Sequence, residues 1–398
     1  MIYYTLPQIN YTINCCDLKL IINKKSDSQK NSSSLKKYLS KIKGLIDFHI
    51  LDWDTVKKYT NTYEFIHTTI PNQKMSISKI KPISRAFFKL IEIYNRHSIF
   101  SNNTPIKSFH LAEGPGGFIE ATAYIRDNEY DSYYGMTLLN ENNNTPNWKK
   151  AEHVLKKHKN INIENGVDNT GNLYNHLNLL YCKKKYKNSM NIITADGGFD
   201  FSDDYNNQEI NAYRLIFTQI AYAIVMQKYN GHFILKIFDI FEKCTTEILF
   251  ILSCFYKKII ICKPDTSRIA NSEKYIVCKF FKYSDTENIS NKFINIIKVL
   301  EKVDFNIYTI SSMLNIPVHF YFMKNVLEAN AILGHQQIEN ILYTIKIITH
   351  KDRKQEKLLS LKNNNIQKCI NWCISNNIPY NKNYQSNNIF LGERTKSY

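Results

Sequence analysis

The sequence lacks the cysteine spacing of a metal site or a disulfide scaffold. Its nine cysteines include no CxxC pair and follow no regular framework. This pattern predicts small buried side chains in a reducing compartment, with neither disulfides nor a zinc site.

Long apolar runs are also absent. The longest covers residues 248–256, whereas a transmembrane helix needs roughly 20 apolar residues. The first residues, MIYYTLPQINYT, lack the basic region and apolar core of a signal peptide. The sequence therefore predicts a soluble intracellular protein without a membrane partner.

Acidic residues are few relative to basic ones. The 398 residues include 52 Lys and Arg against 35 Asp and Glu, which gives a net charge of +17. Such a charge favours a polyanionic partner, nucleic acid before a membrane surface. A genome biased toward Lys, Asn and Ile would raise the charge without any binding role, so both explanations stay open.

Seven short apolar runs alternate with helical segments between residues 76 and 282, an order that predicts a mostly parallel seven-stranded sheet of the α/β class. The runs are 108–113, 132–138, 161–166, 190–196, 231–238, 257–263 and 273–281. Residues 1–75 are predicted to form an N-terminal extension. Residues 283–398 are predicted to form a helical C-terminal region, with amphipathic runs at 287–302, 324–350 and 366–377.

A glycine-rich turn, LAEGPGGF at 111–118, links the first predicted strand of this sheet to a helix. Its glycines permit a ligand to approach the backbone at the carboxyl edge of the sheet. The turn matches neither GxxxxGK[ST] nor GxGxxG, which disfavours triphosphates and pyrophosphates. The acidic neighbour Glu113 suits the cationic cofactor S-adenosylmethionine, while a purely structural tight turn is the alternative.

Two aspartates follow later predicted strands. Asp168 comes after the third strand, where it can accept a hydrogen bond from an adenine amino group, and Asp196 ends the fourth. Either residue alone fits ordinary turn chemistry. Their occurrence at successive strand ends favours a shared cofactor site.

The apolar run FILKIFDIF at 233–241 contains two charges. Burying the Lys236 ammonium group costs several kcal/mol unless it is compensated. Burial and a second nearby cation both favour a neutral amine, which can act as a general base. A lysine that extends to solvent from an edge strand is the alternative. Asp239 is predicted to be a structural carboxylate.

Six segments match the motifs of a known family in order and approximate spacing: SRAFFKLIE (84–92), LAEGPGGFIE (111–120), YGMTL (134–138), TADGGF (194–199), GHFILKIFDIF (231–241) and KPDTSRIANSEKYIVCK (263–279). They resemble FtsJ-like ribose 2'-O-methyltransferases. Within that family they are most similar to the mRNA cap enzymes of eukaryotes and large DNA viruses. The resemblance covers roughly residues 80–282.

The resemblance implies a Rossmann-like fold and a set of site residues. The catalytic tetrad would be Lys89, Asp196, Lys236 and Glu273, with Lys236 as the general base and no metal. The residues that would bind S-adenosyl-L-methionine are Ala112, Glu113, Gly114, Pro115, Gly116, Gly117, Phe118, Val167, Asp168 and Asp196. The residues that would contact RNA are Asn206, Asn207, Gln208 and Asn271. For Lys89, the solvated basic face of a helix is the alternative.

A basic cluster precedes the first tetrad lysine. It comprises Lys74, Lys79, Lys81 and Arg85, with Tyr63 and Phe65 nearby in sequence. Such a combination predicts a groove that stacks a methylated cap base and binds RNA phosphates. A solvated run of charges is the alternative.

The resemblance also implies an activity, which is methyl transfer to the ribose 2'-hydroxyl of the first transcribed nucleotide of capped mRNA. The alternatives are 2'-O-methylation of ribosomal or transfer RNA, and a non-catalytic RNA-binding subunit. The expected partners are capped mRNA and other capping or transcription proteins. Length and composition favour a large DNA virus as the source. A viral enzyme would be cytoplasmic or packaged in the virion, and a cellular one nuclear.

Overall fold

The computed structural model describes residues 1–25, 31–100, 103–139, 147–198, 207–350 and 354–382. The chain divides into two compact units. The larger comprises residues 1–45 and 82–341, and the smaller comprises residues 46–81 and 342–398. These boundaries differ from the predicted ones, because residues 1–45 and 283–341 belong to the same unit as the central sheet.

The larger unit contains the strands of the described chain, and the strands named here run in chain order: β1 (Ile2–Thr5), β2 (Leu18–Lys24), β3 (Lys107–Leu111), β4 (Ser132–Met136), β5 (Ile161–Ile163), β6 (Met190–Ala195), β7 (Gln227–Ile237), β8 (Tyr256–Lys263), β9 (Lys274–Phe281) and β10 (Tyr308–Leu314). Eight of them form one sheet in the order β1-β8-β9-β7-β6-β3-β4-β5. β2 and β10 form a separate antiparallel pair.

The seven predicted strands are confirmed as β3 to β9. β3 is parallel to β4 and β6, β4 is parallel to β5, and β6 is parallel to β7. β9 runs antiparallel to β7 and β8. The prediction did not include β1, which adds an eighth strand antiparallel to β8.

The helices follow the predicted alternation: α1 (Ser33–Gly44), α2 (Ile50–Thr60), α3 (Ala86–Arg96), α4 (Gly117–Arg126), α5 (Glu152–Lys157), α6 (His176–Tyr186), α7 (Gln208–Met226), α8 (Lys243–Phe255), α9 (Glu287–Leu300), α10 (Phe320–Thr349) and α11 (Lys354–Ser375). The described part of the C-terminal region, residues 283–350 and 354–382, is largely helical as predicted, with β10 as a strand within it. Across the described stretches, no helix has both the length and the apolar character needed to cross a membrane.

Helices cover both faces of the sheet, as β4 demonstrates. Tyr133 joins a small apolar cluster with α4 and α5, whereas Met136 joins the main core with α6, α7 and α8. Because side chains of a strand alternate between faces, the two clusters lie on opposite sides of the sheet. A sheet buried on both faces leaves its strand ends as the accessible edge for a ligand.

The carboxyl ends of the parallel strands place three segments at one edge. The loop from Ala112 follows β3, and Asp196 follows β6. β9 runs the other way, with Tyr275 opposite Lys236 and Lys274 opposite Ile237, so the start of β9 lies beside the end of β7. Glu273, which precedes β9, therefore lies at this same edge.

The smaller unit contains α2 and α11. The Thr60 and Thr344 hydroxyl groups lie 2.8 Å apart, and the Asn365 side chain donates to the Tyr59 carbonyl at 2.7 Å. Lys79 and Lys81 belong to this unit.

Candidate active site

Lys236 lies in an interior strand, because β7 is placed between β6 and β9. Its ammonium group donates to the Asp196 carbonyl at 2.6 Å and lies 3.3 Å from the Asp196 carboxylate. The side chain is 13% exposed. The edge-strand alternative for Lys236 is therefore wrong.

A second ion pair joins α3 to the segment before β9. The Lys89 Nζ atom lies 2.7 Å from one carboxylate oxygen of Glu273 and 2.9 Å from the other. The Lys89 side chain is 9% exposed, so the solvated-face alternative is wrong. Burial alone would raise the pKa of Glu273, but the nearby lysines, Lys89 first, hold that pKa well below its ordinary range.

Tyr275 links the two ion pairs. Its buried hydroxyl group donates to the Asp196 carboxylate at 2.8 Å and also interacts with Glu273. Tyr275 was not among the site residues predicted from the sequence. Its spacing from Glu273 was a usable signal, since residues two apart in an extended segment lie on the same face.

The glycine-rich turn wraps around the carboxyl group of Glu113. One oxygen of that group accepts hydrogen bonds from the backbone N–H groups of Phe118 and Ile119, both at 2.8 Å. Gly116 has a φ of 116°, which favours glycine. A Cβ atom on Gly117 would lie 2.2 Å from the Ser84 hydroxyl oxygen, so this position has no room for a side chain.

The second Glu113 oxygen is buried and has no hydrogen-bond partner among the residues that the structure describes. Burial, and then the charge of Asp196, raises the pKa of Glu113 to about 8. An unpaired carboxyl oxygen beside a second carboxylate suits a cationic ligand, which would compensate both groups. The turn and Glu113 therefore fit the sulfonium cofactor that the sequence predicts.

Val167 and Asp168 lie in the loop after β5, and Asn178 of α6 holds this loop. The Asn178 side-chain oxygen accepts from the Val167 N–H at 2.9 Å, and its amide group donates to the Asp168 carboxylate at 2.9 Å. Burial raises the pKa of Asp168, but hydrogen bonds from Thr170, Asn178 and Asn175 together lower it to about 2. Asp168 is thus an exposed, ionised acceptor. Asn178 was not predicted, because only the fold brings α6 to this loop.

Gln208 and Asn271, two of the predicted RNA-contacting residues, are linked through Ser272. Gln208 begins α7 and accepts a hydrogen bond from the Ser272 hydroxyl group, beside the exposed Asn271. Asn207 directly precedes α7. Asn206 lies outside the described residues.

The predicted basic cluster divides between the two units. Lys79 and Lys81 are exposed in the smaller unit, whereas Arg85 lies in the larger one and donates to the Thr266 carbonyl at 2.8 Å. The prediction that Phe65 is available for stacking is wrong, because its side chain is fully buried.

Asp239 has buried partners of its own. Its carboxylate lies 3.3 Å from both the Lys274 and the Lys43 ammonium groups. These pairs are those of a structural carboxylate, as expected. No cluster of His, Cys, Asp and Glu within the described ranges has the arrangement of a metal site.

A family model for the FtsJ-like methyltransferase matches residues 82–281, half of the chain and all of this edge of the sheet. The chain belongs to the FtsJ-like methyltransferase family. This membership confirms the predicted family and the α/β methyltransferase fold. The cofactor of this FtsJ-like methyltransferase is S-adenosyl-L-methionine.

Two curated relatives of the FtsJ-like methyltransferase have the same name. A cap-specific mRNA (nucleoside-2'-O-)-methyltransferase 2 of Drosophila melanogaster is 26% identical over 61% of this chain and 36% of its own. The protein of that name in Pongo abelii is 26% identical over 84% of this chain and 43% of its own. The chain spans less than half the length of these relatives.

Solved structures also match the FtsJ-like methyltransferase. The crystal structure of a ribosomal RNA methyltransferase from Plasmodium falciparum covers 50% of this chain and 97% of its own, with 19% identity and a TM-score of 0.35.

Proposed function

We propose that this FtsJ-like methyltransferase methylates the ribose 2'-hydroxyl of the first transcribed nucleotide of capped mRNA. The observation that carries the proposal is the Lys236 amine, which Asp196 holds at the carboxyl edge of the sheet. Asp196 follows β6, the neighbour of the glycine turn's strand β3, and the Lys89–Glu273 pair lies at the same edge. The names of the relatives support the capped substrate.

Lys236 is the general base of the proposed reaction. A ribose 2'-hydroxyl is a weak acid, so its oxygen attacks efficiently only if a positioned base removes the proton. The Lys236 Nζ atom accepts that proton while the 2'-oxygen gains the methyl group. S-adenosylmethionine, when bound, supplies this methyl group and keeps the electron pair of the broken carbon–sulfur bond on sulfur. Two acceptors on Asp196 fix the position of the amine throughout.

The Lys89–Glu273 pair orients the acceptor ribose in this proposal. Both side chains are largely buried and hydrogen-bonded to each other, so neither is free to move when RNA binds. Fixed groups around a reacting hydroxyl contribute through orientation, which is worth several kcal/mol of the barrier. Gln208 and Asn271 contact the RNA next to this pair.

Methyl transfer to matched short RNAs tests the proposal. The full chain is incubated with labelled S-adenosylmethionine and one RNA sequence bearing either a methylated cap or a 5'-triphosphate, and nuclease digestion maps the label. The expected result is label on the first transcribed nucleotide of the capped RNA alone. Equal labelling of both RNAs would favour the ribosomal or transfer RNA alternative. RNA binding without transfer would favour a non-catalytic subunit.

A further inference from the structure

Residues 264–273 join β8 to β9 and carry two residues of the proposed site. Glu273, at the end of this loop, pairs with Lys89, and Asn271 is exposed beside it. The proposed reaction requires that the backbone at 271–273 has one fixed position. Buried side chains next to the loop hold the backbone in that position.

Two buried lysines flank the loop and hold its backbone. Lys263, the last residue of β8, donates to the carbonyl groups of Asn271 at 2.5 Å and Glu273 at 2.7 Å. Lys274, the first residue of β9, donates to the Ser272 carbonyl at 2.9 Å. Three consecutive carbonyl groups thus accept hydrogen bonds from buried side-chain amines.

Lys263 differs from Lys274 in its partners. Lys274 also pairs with the Asp239 carboxylate, whereas Lys263 has no carboxylate within ion-pair distance in the described part of the chain. Burial, and then the charge of Lys274, lowers the pKa of Lys263 to about 7. An ammonium group buried without an anion is costly. The two hydrogen bonds to the loop carbonyl groups offset part of this cost.

The other end of the loop is held from α3. The Glu92 carboxylate accepts from the N–H groups of Asp265 at 2.7 Å and Thr266 at 3.1 Å. Glu92 lies one turn after Lys89, which binds Glu273 at the far end of the same loop. One helix therefore fixes both ends of the loop, and Lys263 fixes the carbonyl groups of Asn271 and Glu273.

We propose that Lys263 is a positioning residue for RNA methylation. Its hydrogen bonds hold the backbone of residues 271–273 in the position in which Glu273 pairs with Lys89 and Asn271 contacts the RNA. This inference rests on the proposed function. Among the residues that the structure describes, Lys263 forms no hydrogen bond with the glycine turn or with Asp168. Its loss therefore affects the RNA step and leaves cofactor binding unchanged.

The test compares Lys263→Met with Lys258→Met, a change at an exposed lysine of the same strand. The variants are compared in steady-state kinetics with capped RNA, in calorimetric binding of S-adenosylmethionine, and in hydrogen exchange of residues 264–273. For Lys263→Met we expect kcat/KM for RNA to fall about tenfold to hundredfold, the range for losing a buried hydrogen bond from a charged donor. Loop exchange should accelerate and the cofactor Kd should stay within about twofold, as in Lys258→Met.

Lys263→Gln keeps an N–H donor on a shorter side chain and covers the case in which Lys263→Met does not fold. It should recover part of the lost kcat/KM. Unchanged kinetics or unchanged loop exchange in a folded variant would overturn the inference, and so would an equal loss of cofactor binding. A wild-type chain that methylates no RNA would instead refute the proposed function, and loop exchange would still test the hold of Lys263 on residues 271–273.

Discussion

Lys236 and Asp196 are joined twice, because the Lys236 amine donates to the Asp196 carbonyl at 2.6 Å and lies 3.3 Å from its carboxylate. The sheet register produces this pairing. Leu235 of β7 is opposite Ala195 of β6, so Lys236 and Asp196, which follow them, are also opposite each other. A Cβ atom on Gly198 would lie 3.1 Å from the Lys236 Nζ atom. The glycine therefore leaves space beside the amine, where the proposed hydroxyl group approaches.

Substitution Lys236→Met tests the general base. The variant keeps the apolar length of the side chain but cannot accept a proton, so kcat with capped RNA should fall by about 100-fold to 10,000-fold. The Kd of S-adenosylmethionine should not change. Lys228→Met, at an exposed position of the same strand, is the control and should retain wild-type kcat. Equal activity of the two variants would exclude Lys236 as the base.

The Lys89–Glu273 pair is predicted to stabilise the fold as a unit. Lys89→Met leaves the buried Glu273 carboxylate without its main cation, which should lower the free energy of unfolding by about 3–5 kcal/mol. The double variant Lys89→Met, Glu273→Gln should lose less than the sum of the single variants, because no charge remains unpaired. Urea denaturation of the four proteins measures this coupling. Additive losses would contradict the pairing.

Glu113 predicts a pH dependence of stability. Its pKa is about 8 in the folded chain against an ordinary 4.5, so between these values the folded state holds a proton that the unfolded state has released. This contribution is complete below pH 4.5 and is lost as the pH rises through about 8. Cofactor-free wild type should therefore lose stability from pH 5 to pH 9 more steeply than Glu113→Gln, by on the order of 4 kcal/mol.

The Glu113 experiment has internal and external controls. Glu92 and Glu209 also have pKa values raised by burial, to about 7, but both are present in wild type and variant, so their effects cancel in the comparison. Glu129→Gln, at an exposed glutamate, should follow the wild-type pH profile in thermal denaturation. Parallel profiles for wild type and Glu113→Gln would show that Glu113 is ionised in the fold.

The close packing of Gly117 against Ser84 predicts that a change at Ser84 restores stability lost by a change at Gly117. In Gly117→Ala the added Cβ atom would meet the Ser84 hydroxyl oxygen at 2.2 Å, and such overpacking costs about 1–3 kcal/mol of stability. Ser84→Ala removes the nearest clash, so the double variant should recover part of the loss. Gly44→Ala, which meets nothing within 4 Å, is the matched control. A fully stable Gly117→Ala variant would show that the turn is looser than described.

Strands β3 to β9 were predictable because each is a short apolar run with its own local pattern. The resemblance to the FtsJ-like family implied that Lys236 and Asp196 belong to one site, and both lie at the ends of parallel strands. β1 was not predictable in this way, because its partner β8 lies more than 250 residues later and only tertiary contacts select it. The same reason places residues 283–341 in the larger unit.

Buried charges outside the motif positions were the part of the site that sequence analysis missed. In the sequence, Glu92 has the pattern of one charge on an amphipathic helix, and Lys263 has that of the polar end of a strand. Their roles depend on which backbone groups lie within hydrogen-bond distance after folding. Phe65 is the converse case, because an aromatic residue beside basic ones has the pattern of a stacking surface yet is buried.

Methylation of a capped RNA whose first transcribed nucleotide is 2'-deoxy tests the central claim most directly. The reacting oxygen is absent from this RNA, while the cap, the phosphates and the base are unchanged. The account predicts that labelled methyl transfer to this RNA is abolished. An RNA with the 2'-deoxy change at the second nucleotide instead is methylated at the same rate as the unmodified capped RNA. Undiminished transfer to the RNA that is 2'-deoxy at the first nucleotide would contradict the account.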